Sequence, residues 1–137
     1  MYKTRKQIND LAYKIVGAAI EVHKQLGPGL LESIYDVCLV EELISLKLMV
    51  ASQPSFEVNY KGRSLGKLLR PDLVVEDTVI VEIKAVEMMI PLYEAQLLSY
   101  LKLTGLPKGL LINFNAPNIT DSLVPMVTEA FRLLPEE

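Results

Sequence analysis

The spacing of apolar residues changes twice along this chain, and few architectures accept both changes. From Ile8 to Leu26 the apolar positions Ile8, Leu11, Ile15, Ala19, Val22 and Leu26 recur every three or four residues, the period of a helix face. From Phe56 the period falls to two, with Phe56, Val58 and Tyr60 alternating against polar neighbours, as in a strand. Gly109 to Phe114 is then almost continuously apolar, which suits a strand covered on both faces. A chain that passes from helix to alternating strand to buried strand needs a mixed sheet with helices on its faces.

The boundaries are marked by residues that start or stop elements. Thr4 and Gln7 form a T-x-x-Q capping box for a helix over Thr4–Leu26, and Gly27-Pro28-Gly29 ends it. Leu30 to about Leu46 reads as a second helix, apolar on most sides and so expected to be largely buried. Strands are expected at Phe56–Tyr60, at Leu65–Val75 with a bend at Pro71, and at Val79–Ala85, forming an antiparallel meander. Pro91 opens a third helix that runs to Thr104, where Gly105 and Pro107 stop it. The strand at Gly109–Phe114 should then lie parallel to Val79–Ala85 through a right-handed crossover. Ser122 is placed to cap a last helix reaching Leu134.

At 137 residues, half of them hydrophobic and 23% charged, the chain suits one folded domain over residues 1–137. No apolar run approaches the roughly 20 residues a membrane helix needs. The polar, basic stretch Met1–Gln7 has no apolar segment behind it, so no secretory signal is expected there. A single cysteine, Cys38, fits a reducing cytoplasm. The formal net charge of -3 speaks against a protein that coats nucleic acid along its whole surface, although carboxylates gathered for a metal also lower the charge.

One hairpin carries the chemistry. With Glu76-Asp77-Thr78 as its loop, Val75 faces Val79, and counting back sets Asp72 opposite Glu82. Alternation then puts Asp72, Val74, Ile80, Glu82 and Lys84 on one face, and Leu73, Val75, Val79, Val81 and Ile83 on the other. The second set is wholly apolar and must meet a helix. The first sets two carboxylates against each other inside an apolar strand, a poor arrangement for stability alone. A divalent cation between them relieves the repulsion, and Mg²⁺ commonly takes one or two carboxylates, water and phosphate oxygens. Lys84 beside them would handle the attacking water or stabilise charge on the reacting phosphate. The bland explanation of Glu82 and Lys84 as a surface pair fits poorly with the apolar stretch around them.

Two more pairs stand at helical spacing. Gln96 and Tyr100 are four apart and share a face of the third helix. Glu32 and Tyr35 are three apart on the second, where a buried carboxylate would need a partner or a metal, and a first-turn glutamate would merely suit the helix dipole. Lys61, Arg63, Lys67 and Arg70 form a basic stretch that suits either phosphate contact or a solvated edge strand.

Together these words resemble a known family. Gly29-x-x-Glu32-x-x-Tyr35 is similar to the signature of the G-x-x-E-x-x-Y proteins, a bacterial and archaeal group within the PD-(D/E)XK nuclease superfamily. The flanking words also match: Ile20-Glu21-Val22-His23, Val81-Glu82-Ile83-Lys84-Ala85, Gln96-Leu97-Leu98-Ser99-Tyr100-Leu101 and Leu111-Ile112-Asn113-Phe114, over about Ile15 to Phe114. The resemblance implies an α/β, restriction-endonuclease-like αβββαβ core with a mixed central sheet flanked by helices. It implies Pro71-Asp72 and Glu82-x-Lys84 as the name motif, and Gln96-x-x-x-Tyr100 as the helix element of the RecB-like branch. By the same likeness Glu32 joins Asp72 and Glu82 as a metal ligand or supports that set, and His23 falls where that branch often has a helical histidine. Asn115 departs from the glycine the family often has there, which bears on the loop geometry. The expected function is Mg²⁺- or Mn²⁺-dependent hydrolysis of phosphodiester bonds in nucleic acid, DNA before RNA. A non-catalytic nucleic-acid- or protein-binding module on the same fold is the alternative, and a homodimer or a partner subunit is compatible with either.

Overall fold

The computed structural model describes residues 2–137; Met1, which opens the polar stretch Met1–Gln7, lies outside the described residues. Elements follow in the order α1 (Arg5–Leu26), α2 (Glu32–Ser45), β1 (Val50–Ser52), β2 (Phe56–Tyr60), β3 (Arg63–Leu69), β4 (Leu73–Val75), β5 (Val79–Lys84), α3 (Pro91–Thr104), β6 (Lys108–Asn113), a 3-10 turn (Ile119–Asp121), β7 (Val124–Val127) and α4 (Glu129–Arg132). No described helix is long and apolar enough to cross a membrane.

Helix α1 starts where its capping box requires. The Thr4 side chain accepts from the Gln7 N–H, and the Gln7 side chain accepts from the Thr4 N–H. Its stripe Ile8, Leu11, Ile15, Ala19 and Val22 is buried. Helix α3 begins at Pro91 and ends at Gly105, which takes the left-handed conformation at φ 76°.

Five strands form a mixed sheet in the order β1-β4-β5-β6-β7. Strand β5 runs antiparallel to β4 and parallel to β6, as the buried run after a helix predicts. Residues of one parity, Leu73, Val75, Val79, Val81 and Ile83, are fully buried against α1 and α2, together with Tyr35, Leu39 and Leu43. The opposite parity holds a smaller core, in which Val74, Ile80 and Leu111 meet Leu97 and Leu101 of α3.

Four expectations need correction. The strand expected over Leu65–Val75 is two strands in two sheets: β3 pairs only with β2, while β4 pairs with β1 and β5. Pro71 separates them, because it has no N–H for a continuous ladder. The three-strand meander is therefore absent, and β2–β3 stands apart as a hairpin. The three-residue β1 carries too short a pattern to announce itself. Helix α2 is not largely buried: Tyr35, Leu39 and Leu43 face inward, but Val37 and Ile44 lie 62% and 54% exposed. It is covered on one side, by α1 and the sheet. Finally, Ser122–Leu134 is not one helix. Pro125 sits in the edge strand β7, and only Glu129–Arg132 turns into helix, capped by Thr128.

Candidate active site

The β4–β5 turn sets the register on which the site depends. Glu76 and Asp77 both take positive φ, 53° and 49°, and the Thr78 N–H donates to the Val75 carbonyl. Val75 then faces Val79, Val74 faces Ile80 and Leu73 faces Val81. One step further the ladder gives way to side chains. The Asp72 N–H donates to Glu82 Oε2 at 2.7 Å, and the Ile83 N–H donates to Asp72 Oδ2, also at 2.7 Å. Each carboxylate thus replaces a backbone carbonyl as acceptor across the strand pair. That exchange draws both acids to one point and locks their orientation.

The location is electrostatically costly. Glu82 is only 5% exposed, and its carboxyl is pushed up to about 8, first by burial and then by the Asp72 charge. The hydrogen bond from the Asp72 N–H and the charge of Lys84 act in the opposite direction without cancelling the rise. From α2, Glu32 and Asp36 approach the same point. Partial desolvation and then the Asp72 charge raise both, while Lys84 offsets part of the rise at Glu32. From α3, Tyr100 is raised by burial and then by Glu82 and Asp72, so its hydroxyl keeps its proton. Two helices therefore direct acids or a phenol toward the Asp72–Glu82 pair.

The family model of the PD-(D/E)XK nuclease superfamily matches residues 9–124. The chain belongs to that superfamily. No curated protein and no solved structure matches it. The five-stranded mixed sheet flanked by helices is the restriction-endonuclease-like arrangement, and PD-(D/E)XK nucleases act on nucleic acid and generally use divalent metal ions. Pro71-Asp72 lies just before β4, and Glu82-Ile83-Lys84 lies on the neighbouring β5.

The donor chemistry fits such an ion. Asp72 and Glu82 each have one oxygen tied to a backbone N–H, and the other takes no hydrogen bond from the described residues. Their mutual repulsion is what a cation removes. Among the described residues, no group of three Asp, Glu, His or Cys side chains is close enough together to hold an ion by itself. Two carboxylates with the remaining positions left to water and phosphate is the pattern Mg²⁺ favours.

Lys84 makes no ion pair among the described residues. Its Nζ lies over the ring of Tyr93, 4.4 Å from the centroid. The aromatic face seats the ammonium beside the acids, and its charge still lowers Glu82 and Glu32. Tyr93 is three residues before Gln96, and nothing in its local sequence announced this contact. Asp36 was also missed, although its signal was present: it stands four residues after Glu32, on the same helix face. Gln96 is exposed one turn before Tyr100, on the helix that carries Tyr93.

The G-x-x-E-x-x-Y word divides into parts. Gly29 has φ 100°, which excludes most side chains. The buried Tyr35 ring stacks on Phe114 with centroids 4.8 Å apart, and its hydroxyl donates to the Gly27 carbonyl at 2.6 Å and accepts from the Leu30 N–H. Tyr35 thus clamps the α1–α2 turn, and Glu32 follows at the first position of α2. Asn115 contributes through its side chain, whose Oδ1 accepts from the Gly29 N–H. The buried Asn113 accepts from the Val86 and Asn115 N–H groups and donates to the Val86 carbonyl, fixing the chain just past Lys84. His23 meets the Ala116 carbonyl at 2.8 Å, tying α1 to the loop after β6.

Proposed function

We propose that this protein hydrolyses phosphodiester bonds in nucleic acid, DNA rather than RNA, with Mg²⁺ or Mn²⁺ held by Asp72 and Glu82. The single observation that carries the reading is the reciprocal pair of hydrogen bonds that draws these two carboxylates together. Glu82 at about 8 is expensive to ionise without a cation, and that cost has no structural purpose if no cation binds. Held there by Asp72 and Glu82, a divalent ion would supply Lewis-acid activation of water and charge neutralisation at the phosphate. Lys84, held on Tyr93, orients the attacking water or donates toward the reacting phosphate. Glu32 supports the acidic set from α2, and Gln96 and Tyr100 contact the substrate from α3. Placement among the G-x-x-E-x-x-Y proteins, and in the RecB-like branch, is supported by the Gly29–Tyr35 word and by Gln96-x-x-x-Tyr100.

The test is a cleavage panel over single- and double-stranded DNA and RNA, with and without Mg²⁺ or Mn²⁺. Cleavage should require metal and fall about a hundredfold or more in Lys84→Ala and in Glu82→Ala. Activity surviving unchanged in both variants would belong to a contaminant. Binding without turnover at saturating metal would select the recognition module instead.

A further inference from the structure

The hairpin β2–β3 has no evident structural need for the residues it carries. Every residue of β3 except Leu69 is exposed, and so are Lys61, Gly62 and Arg70 at its ends. A two-stranded ribbon open to water on its flanks is marginal by itself. It is anchored at its base, where Phe56 packs into the smaller core with Val74, Ile80, Leu97 and Leu101. That core covers the sheet face on which Glu82 lies, so the hairpin is rooted on the side of the carboxylates. Its last strand leads through Arg70 and Pro71 straight into Asp72.

The charge is as uneven as the exposure. Residues 56–70 contain Lys61, Arg63, Lys67 and Arg70 against one acid, Glu57. They carry +3 in a chain whose net charge is -3, which leaves -6 on the remainder. A ribbon that needed only solubility would mix its signs. The strand pairing also slips between Glu57 and Asn59, opposite Gly66 at φ 67°, so the arm is bent rather than flat. From the Phe56–Leu69 pair to the Tyr60–Arg63 pair it extends about 13 Å at strand rise.

The geometry points to this hairpin as an arm that grips the phosphate backbone of the nucleic acid and leads it to Asp72 and Glu82. The inference rests on the proposed nuclease function and adds where the substrate is held. The ligand chemistry is a polyanion, because the arm offers ammonium and guanidinium groups with only Tyr60 as an exposed aromatic, too few rings for stacking a run of bases.

Fluorescence anisotropy with a labelled 20-mer, duplex and single-stranded, tests it across a salt series. Binding is measured in a Lys84→Ala background, where the probe stays intact. The triple variant Lys61→Gln, Arg63→Gln, Lys67→Gln should lose about tenfold or more in affinity. The slope of log affinity against log salt should become shallower by about 2 to 3, near 0.9 for each duplex phosphate that is no longer neutralised. A control that removes equal charge from α1 and its approach, Lys3→Gln, Lys14→Gln, Lys24→Gln, should keep both within twofold. In the active protein the hairpin variant should raise KM and retain kcat. If the triple variant does not fold, Arg63→Gln and Lys67→Gln alone should each lower the slope by about 0.9. Unchanged slopes, or an equal drop in the α1 control, would overturn the arm while leaving metal-dependent cleavage standing. Absence of cleavage in the wild type, with binding still weakened in the hairpin variant, would overturn the nuclease reading and leave the arm.

Discussion

The two faces of one strand pair behave oppositely. On one, Leu73, Val75, Val79, Val81 and Ile83 are fully buried among aliphatic side chains from α1 and α2. On the other, Val74 and Ile80 are followed by Asp72, Glu82 and Lys84, with acids arriving from α2 and a tyrosine from α3. The first face gains stability from every residue. The second uses that stability to hold like charges together. Adjacent positions of β5 therefore answer to different physics: Ile83 is kept by burial and Glu82 is kept against its electrostatic preference.

The largest effect should come from damaging the apolar face. Ile83→Ala removes a fully buried side chain and should cost about 2–5 kcal/mol in chemical denaturation. Next to it, Glu82→Gln should move the other way in metal-free protein. The folded-state value of Glu82, about 8, lies above its ordinary 4.5, so the folded form binds the extra proton between those limits. Wild-type stability should accordingly decline as pH rises from about 4.5 to about 8, by at most about 1.4 kcal/mol per unit for one proton, and level off above. Denaturant melts at intervals of one pH unit should show this slope in the wild type and a flatter line in Glu82→Gln. Equal slopes in both would remove Glu82 as the cause.

Smaller effects sharpen the same contrast. Gly109→Ala would bring a methyl to 2.8 Å from Leu97 Cδ1 and 3.0 Å from its Cγ, in the thinner core behind the acids. Leu97 is fully buried there, and the cost should be about 1–3 kcal/mol in denaturant melts. Tyr93→Leu keeps an apolar contact but takes the aromatic seat from Lys84, worth about 0.5–1 kcal/mol. It should lower kcat several-fold and shift the melting temperature little. A large stability loss with unchanged kcat would make Tyr93 a packing residue only.

How much of this was legible in the sequence differs between the faces as well. The aliphatic face followed from alternation, and so did the facing of Asp72 and Glu82, because a short turn with two residues at positive φ leaves one register. The parallel β5–β6 pair followed from an apolar run behind a helix. What local pattern did not carry was tertiary. Pro71 divides two sheets rather than bending one strand, and a run such as Leu65–Val75 contains no mark of which neighbour each half will pair with. Helix α2 looked buried because it is apolar around its circumference, yet only one side is covered. Ser122 resembled a cap until Pro125 placed the next residues on a sheet edge. At the site, Lys84 over Tyr93 joins a strand to a helix, a contact that no spacing rule reaches, whereas Asp36 was one helical turn from Glu32 and could have been found.

The central claim is that Asp72 and Glu82 form a seat for a divalent cation, without which Glu82 is penalised first by burial and then by the Asp72 charge. Thermal melting at pH 8 with and without Mn²⁺, in wild type and in Asp72→Asn, tests it most directly. Mn²⁺ should raise the wild-type melting temperature in proportion to mass action, by about 2.7 kcal/mol of stability at a hundred times its Kd. Asp72→Asn should melt higher than metal-free wild type and respond little to Mn²⁺. The same rise in both proteins, or none in the wild type at saturating Mn²⁺, would contradict it.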